Sequence, residues 1–180
     1  MSLKQPNHLS ATCRCGKIIF EAIGAPIVSA ACYCASCQEA GRRFEQLPDA
    51  PPVLDPDGGT GLILCRKDRV QCTKGQELLA EHRLKPESPT RRVLATCCNS
   101  PMFLDFSKGH WVSIYRNRFS SAAPPLEMRV MTKDRRAGVE FANDIPTYRA
   151  HSGKFMLRLF AAWMAMGFRT PKITWGKQAG

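Results

Sequence analysis

The sequence predicts a mainly β fold, a domain of short strands gathered around metal. Three observations predict it. Short β-prone runs recur between Gly- and Pro-rich turns. One short helical stretch interrupts them. The cysteines concentrate in separated clusters, foremost Cys32-Tyr33-Cys34-Ala35-Ser36-Cys37.

Residues 9–22 read as a hairpin. Ser10 to Arg14 leads into a tight turn at Cys15-Gly16, and Lys17 to Glu21 leads out. Cys13-Arg14-Cys15-Gly16 has the form of a zinc knuckle. Its two thiolates point the same way, and Gly16 lets the backbone turn sharply beneath a metal. Ile27 to Ala31 is a short apolar strand running into Cys32. Ser36 to Phe44 suits one or two helical turns, with Ser36 as the N-cap. Such a helix points its positive end at the thiolates. Residues 46–61 hold four prolines and three glycines, which exclude regular structure. A loop of that length suits a flap over a site.

Leu62 to Cys65 and Arg69 to Cys72 are short strands, followed by a turn at Lys74-Gly75. Leu78 to Leu84 and Arg91 to Thr96 are further strands, joined through Pro86-Glu87-Ser88-Pro89. Cys65 and Cys72 have no neighbouring cysteine and read as small core residues. Cys97-Cys98-Asn99-Ser100-Pro101 reads as a second knuckle turn. Met102 to Phe106, a turn at Lys108-Gly109 and Trp111 to Tyr115 form another hairpin. Trp111 and Tyr115 share a face and suit core packing, His110 suits a structural role, and Asp105 suits solvent. Leu126 to Met131 is the last strand, between breaks at Pro124-Pro125 and Pro146.

The central cluster carries the chemistry. In an extended chain Cys32 and Cys34 project to one side, and a turn brings Cys37 back onto it. Three thiolates converging on one point suit a tetrahedral zinc ion, with a Zn–S distance of about 2.3 Å. Only three ligands are local. The fourth is another residue, a water or a substrate, and an open fourth position is what a catalytic zinc needs. Disulfides are the alternative, but nine cysteines cannot all pair within one chain.

Composition bounds the rest. The 180 residues are 44% hydrophobic and 23% charged, enough for one globular domain with a sizeable core. No run of eighteen apolar residues occurs, so no transmembrane helix is expected. Met1 to Thr12 lacks a basic-then-apolar signal pattern. A cytoplasmic protein with reduced thiols is therefore expected, which again favours metal over disulfides. The net charge of +11 is uneven: residues 1–90 carry +1 and residues 91–180 carry +10. These basic residues are scattered and no recognised nucleic-acid motif accompanies them, so a solvated surface is expected rather than nucleic acid.

Taken together, Cys13-Arg14-Cys15-Gly16, Cys32-x-Cys34-x-x-Cys37 and Cys98-Asn99-Ser100-Pro101 resemble the signature of the glutathione-dependent formaldehyde-activating enzyme family, which includes the centromere protein V domain. The resemblance covers residues 9–120. It implies the β-tent fold and up to two zinc ions per chain. A structural zinc would sit between Cys13, Cys15 and the later knuckle of Cys97 and Cys98. A catalytic zinc would sit on Cys32, Cys34 and Cys37, with glutathione near it. The pattern is divergent. The family's later knuckle places its first cysteine where Ala95 stands, Cys97 is adjacent to Cys98 instead, and Asn99 replaces a glycine. Asn tolerates the left-handed conformation such a turn needs. In a strict strand Cys97 would face away from Cys98, toward the other metal.

The resemblance implies a zinc-dependent carbon–sulfur lyase that joins glutathione and formaldehyde into S-(hydroxymethyl)glutathione. Arg42, Arg43, Arg91 and Arg92 are candidates to orient the glutathione carboxylates. The competing reading is a non-catalytic zinc scaffold that binds a protein or nucleic-acid partner, and closure of the central cluster by Cys97 would favour it. Domain boundaries of 9–148 for the zinc-binding β-tent and 149–180 for a C-terminal helical extension follow. Ser152 to Phe168 forms the helix, capped by Ser152 and ended near Gly167. At about 1.5 Å per residue it spans roughly 25 Å, short for a bilayer. It can pack on its own domain, in a homodimer or on a membrane surface. The first is expected, with the helix walling the zinc pocket.

Overall fold

The structure, a computed structural model, describes residues 8–119 and 123–173. The last seven residues of the expected 149–180 extension, and the start of the Met1–Thr12 stretch, lie outside them. In chain order the elements are β1 (His8–Thr12), β2 (Ile19–Ile23), β3 (Val28–Cys32), α1 (Ala35–Glu45), β4 (Thr60–Arg66), β5 (Val70–Lys74), β6 (Leu79–His82), β7 (Thr90–Ala95), β8 (Ser100–Phe106), β9 (Trp111–Tyr115), β10 (Met128–Val130) and α2 (Gly153–Ala165).

Two sheets result. One has the order β1-β2-β5, and the other β10-β3-β4-β9-β8-β7-β6. The pairings are antiparallel except that β10 runs parallel to β3, which departs from the antiparallel expectation. The 62–65 and 69–72 runs, adjacent in sequence, separate into different sheets, because β4 pairs β3 and β9 while β5 pairs β2.

The inner strands of the seven-stranded sheet are buried on both faces. Along β4, Leu62 and Leu64 enter one core while Ile63 and Cys65 enter the other. This is why β4 reads as an unbroken apolar run rather than as alternation. One core, with Leu9, Phe20, Ile63, Phe103 and Ile114, lies against the small sheet. The other, with Leu62, Leu64, Tyr115, Phe44, Phe155 and Leu159, is covered by α1 and α2.

Helix α1 is longer than its one or two expected turns, and its N-cap is Cys34, with no side-chain capping bond. Ser36 is inside the helix. At Gly41 a Cβ would meet Leu54 at 2.4 Å, so the glycine lets the following loop dock on α1. That loop is not a free flap. Glu45 accepts the Val53 and Leu54 amides at 2.8 Å, Arg14 donates to the Asp49 carbonyl, and Asn99 and Asn117 donate to Pro48 and Pro52.

Helix α2 packs on the domain's own sheet. The Ser152 hydroxyl caps it by accepting the Phe155 amide at 3.1 Å. Phe155 and Leu159 are buried, Arg158 pairs with Glu127, and His110 Nε2 bonds the Leu159 carbonyl at 2.8 Å. His110 also stacks on Trp163. Its role is therefore structural, as expected. Away from the sheet α2 leaves Leu157, Phe160 and Met164 exposed, and Met156 is exposed at its flank. Asp105 is a correction: it is fully buried, 2.7 Å from the Lys67 ammonium and paired with Arg91. The ammonium meets Oδ1 obliquely, so that contact is ionic rather than a formed hydrogen bond.

Candidate metal centres

The first cluster joins two turns. The β1–β2 turn carries Cys13 and Cys15, and the β7–β8 turn carries Cys97 and Cys98. Both turns pass through a left-handed residue, Gly16 at φ 72° and Asn99 at φ 50°. Residues 96–99 form this turn rather than a strand, so the expected alternation is broken. Cys97 and Cys98 therefore face one point, and Cys97 lies with Cys13 and Cys15 rather than with the central cluster. The four sulfurs lie within 4.8 Å of one another. Cys13–Cys15 is 3.6 Å, Cys13–Cys97 3.9 Å and Cys15–Cys97 3.3 Å. A tetrahedron with Zn–S bonds of about 2.3 Å has edges of about 3.8 Å. The four thiols thus match a four-sulfur metal site.

The surroundings agree. The Ile18 amide donates to Cys13 Sγ at 3.3 Å, and Ser100 Oγ lies 3.1 Å from Cys98 Sγ while accepting the Arg14 amide. Burial pushes the Cys97 and Cys13 thiols up. Burial also opposes ionisation of Cys98, but hydrogen bonds from Ser100 and Cys15 outweigh it and bring that thiol to about 6. Crowded thiols resist ionising together unless a cation joins them. Arg118 is buried alongside: burial lowers its guanidinium, and the charges of Cys98 and Cys13 oppose that.

The second cluster is local. Cys32 ends β3, Cys34 is the α1 N-cap and Cys37 lies in the first turn of α1. Cys32 and Cys37 are buried and Cys34 is half-buried. The three sulfurs lie within 4.8 Å of one another. Among the described residues, no other Cys, His, Asp or Glu brings a ligand atom within that distance of all three. Hydrogen bonds from Cys32 and Cys37 pull the Cys34 thiol down to about 2, and Cys32 is pushed up to about 12 in return. The N-terminus of α1 favours the same thiolate. Either cluster can hold a metal ion.

Of the four arginines expected near ligand, Arg42 and Arg43 pair with Glu39 on the exposed face of α1, and Arg91 pairs with Asp105 and Glu81. Arg92 differs. It is 1% exposed, on the helix-covered face of β7. Its Nη2 donates to the Ser36 carbonyl at 3.2 Å, and its Nε has no hydrogen-bond partner among the described residues. Tyr115 lies beside it. Burial first, then the Cys37 charge, pushes the Tyr115 phenol up, and Arg92 opposes that shift. Sequence reasoning missed the pairing of Arg92 with Tyr115. Strand parity puts Arg92 on the face of Leu94, but β7 is buried on both faces, so parity alone could not single it out. Of the isolated cysteines, Cys65 is a core residue, raised to about 12 by burial, and Cys72 is half-buried with Sγ 3.2 Å from the Lys74 carbonyl.

Residues 8–45 match the family model described as glutathione-dependent formaldehyde-activating enzyme. That stretch holds the first knuckle and the whole second cluster. No curated protein matches the chain. A crystal structure of a Rhodobacter sphaeroides protein is similar over 77% of this chain and 99% of that one, at 13% identity and a TM-score of 0.45. At that level nothing of that protein transfers to this chain. No helix among the described residues is long and apolar enough to cross a membrane.

Proposed function

We propose that this divergent member of the glutathione-dependent formaldehyde-activating enzyme family holds zinc at both cysteine clusters and joins a thiol to an aldehyde at the second. The reaction assigned is that of a carbon–sulfur lyase of the S-(hydroxymethyl)glutathione synthase type, run toward addition. The thiol sulfur bonds to the carbonyl carbon, the C=O π bond breaks, and the thiol proton ends on the former carbonyl oxygen. No oxidant or further reactant is needed.

One observation carries the reading. The Cys13/Cys15/Cys97/Cys98 set is complete for a four-coordinate ion, whereas Cys32, Cys34 and Cys37 supply three ligands. Closed sets are structural, and three-ligand sets leave a position for chemistry. When bound there, zinc supplies a Lewis acid that lowers a thiol's pKa or polarises a carbonyl. The chain's own groups set the surroundings. Three thiolates exceed a dication by one negative charge, and the buried Arg92 guanidinium balances it from the same face of the sheet. Its bond to the Ser36 carbonyl fixes it against the turn that carries Cys34 and Cys37. Domain limits of 9–148 and 149–180 belong to this reading, as does a cytoplasmic location, since nine free cysteines suit a reducing compartment.

The test combines elemental analysis of protein purified without chelator with exchange NMR of glutathione and formaldehyde. Up to two zinc ions per chain and exchange faster than in buffer are expected, with the excess rate lost in Cys34→Ala. A folded, metal-free protein would refute the reading. Metal without acceleration would leave a zinc scaffold in its place.

A further inference from the structure

Between the helix-covered face of the large sheet and α2 lies a cavity of about 250 Å³. Ala30, Leu62, Leu64, Phe155 and Leu159 line it, and Cys32 of the second cluster forms part of its wall. The cavity opens to solvent past Met156 and His151, and its walls are mostly apolar, so it offers an apolar ligand a place out of water. The helix roof is tethered to the rest of the domain by the Arg158–Glu127 pair and the His110 bond to the Leu159 carbonyl. Among the described residues no Lys, Arg, Asp or Glu lines the space, and His151 and Cys32 are its only titratable groups. The carboxylates of glutathione have no cation to meet there, and formaldehyde is too small to fill it.

We propose that this cavity takes the apolar substituent of an aldehyde, with the carbonyl end directed at the Cys32/Cys34/Cys37 centre. A dry apolar cavity of about 150 Å³ holds benzene, so this one has room for an aromatic ring with a short arm or a chain of about six to eight carbons. The substrate class is then an aliphatic or aromatic aldehyde, with the thiol approaching from the half-buried Cys34 side. The assignment rests on the thiol–aldehyde reading above. Its chemistry is the same addition, with the S–C bond formed and the proton delivered to oxygen.

Two measurements on the full, zinc-loaded chain test it. Calorimetric titration with benzyl alcohol and 1-hexanol, which carry the substituent without reacting, should show saturable binding and a negative heat-capacity change. Ala30→Leu should weaken it about tenfold or more, because methylene-sized parts of the ligand lose their place. Met156→Trp, at the solvent-exposed rim, should weaken it as well and avoids overpacking the core. Thermal melts and zinc content check that both variants are folded. No saturable binding, or unchanged affinity in both folded variants, overturns the proposal. Exchange NMR with benzaldehyde, hexanal and formaldehyde then separates the two readings. A higher kcat/KM for the larger aldehydes, reduced in Ala30→Leu, supports the assignment. Acceleration with formaldehyde alone leaves the family reaction standing and overturns it. Binding without acceleration of any aldehyde rejects the thiol–aldehyde reading and the substrate class with it.

Discussion

Removing one metal centre should cost this protein more than removing the other, and the topology says how much. The first cluster bridges segments 84 residues apart, tying the small sheet's hairpin to the β7–β8 turn. The second lies within a single strand–helix junction. Treated only as cross-links on the unfolded chain, closure over about 84 residues contributes about 4.5 kcal/mol, and closure over about six residues about 2 kcal/mol. For a domain of this size each kcal/mol moves Tm by about 2–4 °C. The Cys97→Ala/Cys98→Ala double variant removes both ligands on one side, so it should lose about 9–18 °C. Direct metal–ligand energy deepens that loss, because structural zinc binding is coupled to folding. Cys34→Ala should lose about 4–8 °C and keep the fold. Circular-dichroism melts paired with zinc analysis read both. If Cys34→Ala proves the more damaging change, or the double variant melts within a few degrees of the parent, the assigned roles are reversed.

Three further outcomes follow from particular contacts. Asp105→Ala strands the Lys67 ammonium, whose side chain is 2% exposed, without its carboxylate, and should destabilise by about 3–5 kcal/mol in urea unfolding; a change below about 1 kcal/mol would show that the pair is hydrated. Deleting residues 150–180 removes Phe155 and Leu159 from the core and should lower Tm while raising binding of a hydrophobic dye. A truncated chain that melts unchanged but becomes monomeric, or loses liposome binding, would place the helix in an assembly or on a membrane instead. Burial, opposed by the Leu159 carbonyl and aided by Lys67 and Arg66, depresses the His110 pKa. The unfolded chain therefore binds the proton more readily than the folded one. That stability is present above about pH 6.5 and is lost as pH falls toward the folded pKa, so His110→Asn should flatten the dependence between about pH 5 and 7 in urea titrations.

Local chemistry carried much of this protein in its sequence. The C-x-C-G turn needs a left-handed residue after its second cysteine and has Gly16 there; the later knuckle has Asn99. Cys32-x-Cys34-x-x-Cys37 brings its thiols together through one strand end and one helical turn, and Ser152 caps α2 as its position suggested. Each of these depends on neighbours only a few residues away, so spacing and residue type suffice.

What tertiary structure alone decided involves contacts far apart in sequence. Cys97 turned toward Cys13 and Cys15, 84 and 82 residues away, because residues 96–99 form a turn rather than continuing β7. The parallel β10–β3 pair and the division of β4 and β5 between two sheets depend on which edges meet after collapse. In sequence Asp105 reads as a solvent-facing charge and Arg92 as a cation for a ligand carboxylate, yet both are buried by strands and helices on either side of one sheet. A strand covered on both faces loses the alternation that separates inside from outside, so neither charge could be placed until the sheet's two coverings were known.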